Sequence, residues 1–158
     1  MIKKITVLMC VLLCLSGCSQ ESKFGLEQFV SRMNKQYDTT YKTIDFMLGT
    51  DKNSNSYMFY DSSDGLITLS LDSNNDIIGI SLLINESIDI NNGINTFCKL
   101  CCIFTGAEED IQRSTLSSCM ITADTIKYAD SNMVITVGKY KYTVVCNDYS
   151  VTFFCDRV

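Results

Sequence analysis

Thiol chemistry is the first to weigh, because Cys98, Cys101, Cys102, Cys119, Cys146 and Cys155 all fall in the second half of the chain. Cysteine can act as nucleophile, metal ligand or disulfide partner, and Cys98-Lys99-Leu100-Cys101-Cys102 offers three sulfurs within one short run. An even set of cysteines outside the cytosol points to disulfides. Cys119 is placed to reach Cys98 or Cys102. Cys146 and Cys155 are a different matter: in a hairpin rising ~3.3 Å per residue they stand on the order of 20 Å apart, and a bridge needs Cα atoms within about 7 Å. As a metal set, Cys98, Cys101, Cys102 and Cys119 would supply four sulfurs, but their spacing is not that of a zinc knuckle or ribbon. Two carboxylates, Asp61 and Asp64, could serve acid–base work only if a cleft held them at working separation, and both sit in an expected turn. The chain has no His, Trp or Pro. Without histidine the commonest general base is absent, and the serine and cysteine triads go with it. No catalytic residue, metal or cofactor is expected, and the four-cysteine group reads as small core residues or a structural disulfide, free cysteine being among the most buried side chains.

Two short motifs resemble known sites and then depart from them. Cys98-x-x-Cys101 resembles the thioredoxin active site, which implies dithiol exchange by a cysteine at a helix N-terminus. Here the helix begins near Asn91, about two turns earlier, and the proline that thioredoxin sets opposite its sulfurs is missing. Asp72-Ser73-Asn74-Asn75-Asp76 resembles the opening of an EF-hand loop, yet Ile77 stands where glycine is required and Leu83 where the bidentate glutamate belongs. It reads as a polar turn.

The N-terminus carries the most specific signal. Met1-Ile2-Lys3-Lys4 is followed by an apolar run from Ile5 to Leu15, broken only by Thr6, and by Leu15-Ser16-Gly17-Cys18. A basic start, a short apolar stretch and small residues form a removable signal, since a spanning helix needs roughly 20 apolar residues. The last four residues resemble the lipobox of bacterial lipoproteins. That resemblance implies a diacylglyceryl group on the Cys18 sulfur and cleavage before it. Residues 1–17 would then be the signal peptide, 18–23 the lipidated cysteine with a short tether, and 24–158 a single domain. One acyl chain holds a protein to a membrane only marginally, so two or more are expected. The expected location is the extracytoplasmic face of the cell membrane, or the outer membrane in a Gram-negative envelope.

Charge and length narrow the partners. Setting Lys3 and Lys4 aside leaves 11 of the 13 basic residues against 18 acidic ones, a net of −7. Nucleic acid is therefore not an expected partner, and neither are anionic headgroups. No Pro-rich, Gly/Ser-rich or charge-block linker divides the chain.

The elements that must position these residues follow from hydrophobic period. Phe24, Leu26, Phe29, Val30 and Met33 recur at helical spacing over Phe24–Tyr37. Alternation of period two then marks strands near Tyr41–Leu48, Tyr57–Asp61, Leu66–Leu71 and Ile77–Ile84. Ile90, Ile94, Phe97, Cys101 and Phe104 form a second helical stripe ending at Gly106, and Glu108-Glu109-Asp110 opens a third helix. Strands are expected again at Ile121–Tyr128, Met133–Val137, Tyr140–Cys146 and Tyr149–Cys155. An Asn147-Asp148 loop puts Tyr140, Tyr142, Val144 and Cys146 on one face with Tyr149, Val151, Phe153 and Cys155. The fold class expected is α+β: antiparallel meanders with helices packed on one face. Helix-plus-four-strand order in both halves resembles the tandem architecture of β-lactamase inhibitory protein, which would make the chain two α-β4 repeats. Aromatic residues crowd the strands, and Tyr60, Val145 and Phe154 fall on the face opposite the expected core. They are the candidate interaction surface. The function expected is a non-enzymatic lipoprotein that binds another extracytoplasmic protein, as inhibitor, adaptor or assembly factor; the alternative is a small-ligand or carbohydrate-binding lipoprotein.

Overall fold

The computed structural model describes residues 24–51, 54–61, 64–127 and 132–158, so the signal, Cys18 and the tether lie outside the described residues. The chain runs α1 (Leu26–Tyr37), a 3₁₀ turn (Thr43–Asp45), β1 (Met47–Asp51), β2 (Ser54–Asp61), β3 (Gly65–Leu71), β4 (Ile77–Asn85), α2 (Ile90–Thr105), α3 (Glu109–Ser118), α4 (Ala123–Lys127), β5 (Met133–Val137), β6 (Tyr140–Asn147) and β7 (Ser150–Arg157). The described strands form one antiparallel sheet of seven, in the order β1-β2-β3-β4-β7-β6-β5. The fold is α+β, with the helices on one face. No described helix is long and apolar enough to cross a membrane.

Helix α2 is the element on which the core is built. Asp89 caps it by accepting hydrogen bonds from the Asn91 and Asn92 amides, at 2.9 and 3.2 Å. Gly106, at φ +76°, ends it and donates its amide to the Cys102 carbonyl at 2.9 Å. Between these caps Phe97, Cys98, Leu100, Cys101, Ile103 and Phe104 are buried. Phe97 stacks on Phe153 of β7, ring centroids 5.2 Å apart. Gly93 lies so close to β4 that a Cβ there would meet Ile84 Cδ1 at 2.6 Å. The sheet side of this core is supplied by Ile67, Leu69, Ile80, Leu82, Val144 and Phe153, all at alternate strand positions.

Three expectations need correction. Ile121–Tyr128 is not a strand: Ala123–Lys127 is helix α4, and Tyr128 lies outside the described residues. Met120, at φ +58°, turns the chain, and Thr122 Oγ1 accepts from the Thr125 amide at 3.3 Å. Ile121, just before the helix, and Ile126, inside it, are both buried, which strand alternation over five positions forbids. Among the described residues the second half thus carries three strands, not four, so they do not form two equal α-β4 units. Near Tyr41 the chain first makes the 3₁₀ turn, because Asp45 Oδ2 accepts from the Lys42 amide at 2.8 Å. The β6–β7 loop is Asp148-Tyr149 rather than Asn147-Asp148. Asn147 Oδ1 accepts from the Tyr149 and Ser150 amides, both at 2.9 Å, and so closes the turn one residue later. That moves the register by two residues, keeps Val151, Phe153 and Cys155 on their expected face and carries Tyr149 off it into the turn, where it is exposed.

Gly65 begins β3 at φ +109°, and a Cβ there would collide with the Leu83 carbonyl oxygen. Gly138 has φ +60° with open space around it. Gly65→Ala is expected to cost about 2–4 kcal/mol and Gly138→Ala about 1 kcal/mol. Urea unfolding of the two variants checks the order, and equal losses would contradict the collision.

Candidate functional site

The face of the sheet turned away from the helices is an ordered surface, legible row by row from the strand register. Tyr60, Leu66, Leu83, Thr152 and Val145 stand side by side across β2, β3, β4, β7 and β6. The next row reads Met47, Met58, Thr68, Ser81, Phe154, Thr143 and Val134. A third reads Ser56, Ser70, Gly79, Asp156 and Lys141. Tyr60 is 61 % exposed, Met47 67 % and Leu83 37 %. Val145 and Phe154 are half-buried by their neighbours. Tyr60, Val145 and Phe154 therefore share this face, with Tyr60 and Val145 in one row and Phe154 in the next. Sequence reading missed Leu66, Leu83, Met47 and Met58 on the same surface. Parity along β3 and β4 was the signal, but the order of strands in the sheet was needed to use it.

Over β2, β3, β4, β7 and β6, the described residues put two charges on this face, Lys141 and Asp156, directly opposite one another. The Asp156 carboxylate lies against Gly79, where no side chain displaces it. Partial burial raises its pKa above the usual 3.8, and Lys141 opposes that shift.

Behind the sheet the cysteines are gathered differently from the expected group. All six are free thiols. Cys98 and Cys102, one helical turn apart on α2, share a hydrogen bond, and Tyr37 also reaches Cys102. Donation from Cys98 and Tyr37 lowers the Cys102 thiol to about 7, while the same contact and burial raise Cys98. Cys101 faces the other way. It hydrogen-bonds with Cys155 of β7 and is raised by complete burial. Cys119, the C-cap of α3, is buried and raised for the same reason. Tyr142 completes the inner layer, accepting from Gln112 Nε2 at 3.1 Å. Cys155 as the neighbour of Cys101 was within reach of the sequence, since the hairpin parity already put it on the core face. The described residues contain no group of three or more His, Cys, Asp or Glu arranged to hold a metal ion.

Asp64 is a structural acceptor: Thr96 Oγ1 donates to it at 3.0 Å and the Tyr41 hydroxyl at 3.5 Å. Burial, with the Asp64 charge beside it, pushes Tyr41 up to about 12. The Asp72 turn is likewise closed internally, Asp72 Oδ1 accepting from the Asn74 and Asp76 amides at 2.8 and 2.9 Å.

No protein-family model, characterised protein or solved structure matches the chain. The site must be judged on its own chemistry. On the open face, the described residues set apolar side chains among Ser and Thr hydroxyls, with Lys141 and Asp156 as the facing charges.

An acid with a raised folded pKa binds its proton more tightly in the native state, so it favours folding at low pH and withdraws that support as pH rises from about 3.8. Asp156→Asn is therefore expected to gain stability relative to the parent as pH goes from about 4 upward. Paired denaturation curves across that range test it; a constant difference would show that Asp156 titrates alike in both states.

Proposed function

We propose that the chain is a lipoprotein, anchored through lipid on Cys18 at the extracytoplasmic side of a membrane, which binds another extracytoplasmic protein through the uncovered face of its sheet and catalyses no reaction. The observation that carries this reading is the run of Tyr60, Leu66, Leu83 and Val145 beside Met58 and Phe154 on that face. A contiguous exposed apolar set is informative where a single exposed leucine is not. Hydroxyls and a single charge pair between the apolar residues favour a partner surface that is itself apolar and weakly charged.

One cleft supports the small-ligand or carbohydrate reading as the second choice. Asn85, Asn147 and Tyr149 line a cavity of about 210 Å³ beside the β6–β7 turn. That is below the roughly 300–1,000 Å³ usual for ligand sites, which ranks it behind the sheet face.

The anchor is tested by growing cells on labelled palmitate: the parent chain should take up label and Cys18→Ala should not. Unchanged incorporation would remove the anchor. For the binding face, a photoreactive phenylalanine replaces Tyr60 or, as an exposed control off the sheet, Ile44, which is 85 % exposed. Irradiation in intact cells should give a discrete adduct at position 60 only, and adding Phe154→Asp should reduce it about tenfold or more, the equivalent of ~1.4 kcal/mol. Equal adducts at both positions, or indifference to Phe154→Asp in a folded variant, would overturn the assignment.

A further inference from the structure

Helix α2 runs along β7 in a fixed register. Gly93 packs on Ile84, the strand partner of Val151, and Phe97 stacks on Phe153 with centroids 5.2 Å apart. Further on, Phe104 meets Tyr140, the strand partner of Arg157, at 5.6 Å. Four residues of helix advance about 6 Å and two residues of strand about 6.6 Å, so the two elements stay in phase. The step after Phe97 and Phe153 therefore brings Cys101 over Cys155. Both are 0 % exposed, and their thiols share a hydrogen bond.

Six thiols admit fifteen complete pairings, and geometry removes the rivals of this pair. Cys98 and Cys102 also share a hydrogen bond, yet they lie four apart on α2. Cβ atoms at that spacing stand about 5–6 Å from one another, whereas a bridge needs about 3.5–4.5 Å. Closing them would unwind a helix that Asp89 and Gly106 cap at both ends. Cys119 acts on Cys155 through charge alone, without a hydrogen bond. Cys146 stands opposite Val151, four residues of β7 from Cys155, which is about 13 Å at the strand rise.

We propose that Cys101 and Cys155 close as a disulfide when the chain folds outside the cytosol, clamping α2 to β7. The oxidising setting rests on the lipoprotein reading above; the choice of pair rests on the register alone. The oxidant is itself a disulfide, that of a thiol oxidase or of oxidised glutathione. One protein thiolate attacks it, forming a mixed disulfide and expelling one thiolate, and the second protein thiolate then displaces the other. Two protons and two electrons leave the protein, and the oxidant departs as two thiols. Burial keeps Cys101 in its thiol form once α2 has docked, so the attack belongs to folding, before the helix closes on the sheet. The bridge joins residues far apart in the chain, which restricts the unfolded state strongly.

Two preparations of the full chain test the pairing. In the first, cells are lysed in denaturant with N-ethylmaleimide, the protein is isolated, and thiols released by later reduction take iodoacetamide. Chymotrypsin cuts after Tyr149, Phe153 and Phe154, separating Cys146 from Cys155, and fragment ions distinguish Cys101 from Cys102. Maleimide is expected on Cys98, Cys102, Cys119 and Cys146, and the acetamide on Cys101 and Cys155. In the second, the reduced chain is refolded with oxidised glutathione, whatever compartment it came from. The same bridge should form and raise Tm by roughly 10 °C over the reduced form. Cys155→Ala should erase that rise, while Cys119→Ala and Cys146→Ala should keep it. Refolding to a bridge that uses Cys98, Cys102 or Cys119, or to no bridge, would overturn the pairing. Where refolding gives the bridge and cells do not, the intact mass decides. Lipid on Cys18 with free thiols overturns closure outside the cytosol, whereas free thiols without lipid remove the anchor and leave the pair standing.

Discussion

Burial of one sheet face against α2 is the constraint on which the rest of the molecule depends. Phe97 on Phe153, Gly93 on Ile84 and Cys101 on Cys155 fix where that helix sits over β4 and β7. Strand side chains alternate, so committing Ile67, Leu69, Ile80, Leu82, Val144 and Phe153 to the helices commits their neighbours to the opposite face. The open face is thus the unavoidable complement of the core. Its content, though, is not forced: a purely solvated face would carry charges where this one has Tyr60, Leu66, Leu83 and Phe154.

The same constraint explains the thiols. A helix that approaches a sheet closely needs small residues at the contact, and cysteine is small, apolar enough to bury and able to share a weak hydrogen bond. Cys101 meets Cys155 under those terms, beside Tyr142 and Gln112, in a layer without an unpaired buried side-chain polar atom among the described residues. Burial disfavours the thiolate at Cys101 and Cys119, and thiolate is the reactive form. Cys102 differs in having two donors, Cys98 of α2 and Tyr37 of α1, and its lowered pKa reflects those contacts rather than an opening to solvent, since it is 2 % exposed.

Much of this could be read in the sequence because period carries it. The stripes of α1 and α2, the caps Asp89 and Gly106, and the two faces of the β6–β7 hairpin are local properties, and local chemistry set them. Failures came where a side chain outcompeted the pattern. Asn147 folded over its own turn, Asp45 wound the chain before β1, and Thr122 capped a helix within a stretch whose β-branched residues suggest strand. What sequence could not supply was order across the sheet. Knowing that β4 pairs with β7 is what joins Leu83 to Thr152 and Val145, and so turns three isolated aromatic or aliphatic residues into one surface.

Net charge sums over distances that electrostatics in salt does not cross. Eighteen acids outweigh the bases in total, yet among the described residues none of them lines a cleft of about 220 Å³ where Arg32, Lys139 and Arg157 meet. Strand parity also separates this cleft from the open face. Tyr140 and Arg157 point toward the helices, whereas Lys141 and Asp156, next to them in sequence, point away. The apolar row through Thr152 lies five residues further along β7, about 17 Å at the strand rise. The cleft at one end of the domain and the open face with Tyr60, Leu83 and Val145 are therefore independent surfaces, set apart by the same alternation that built the core.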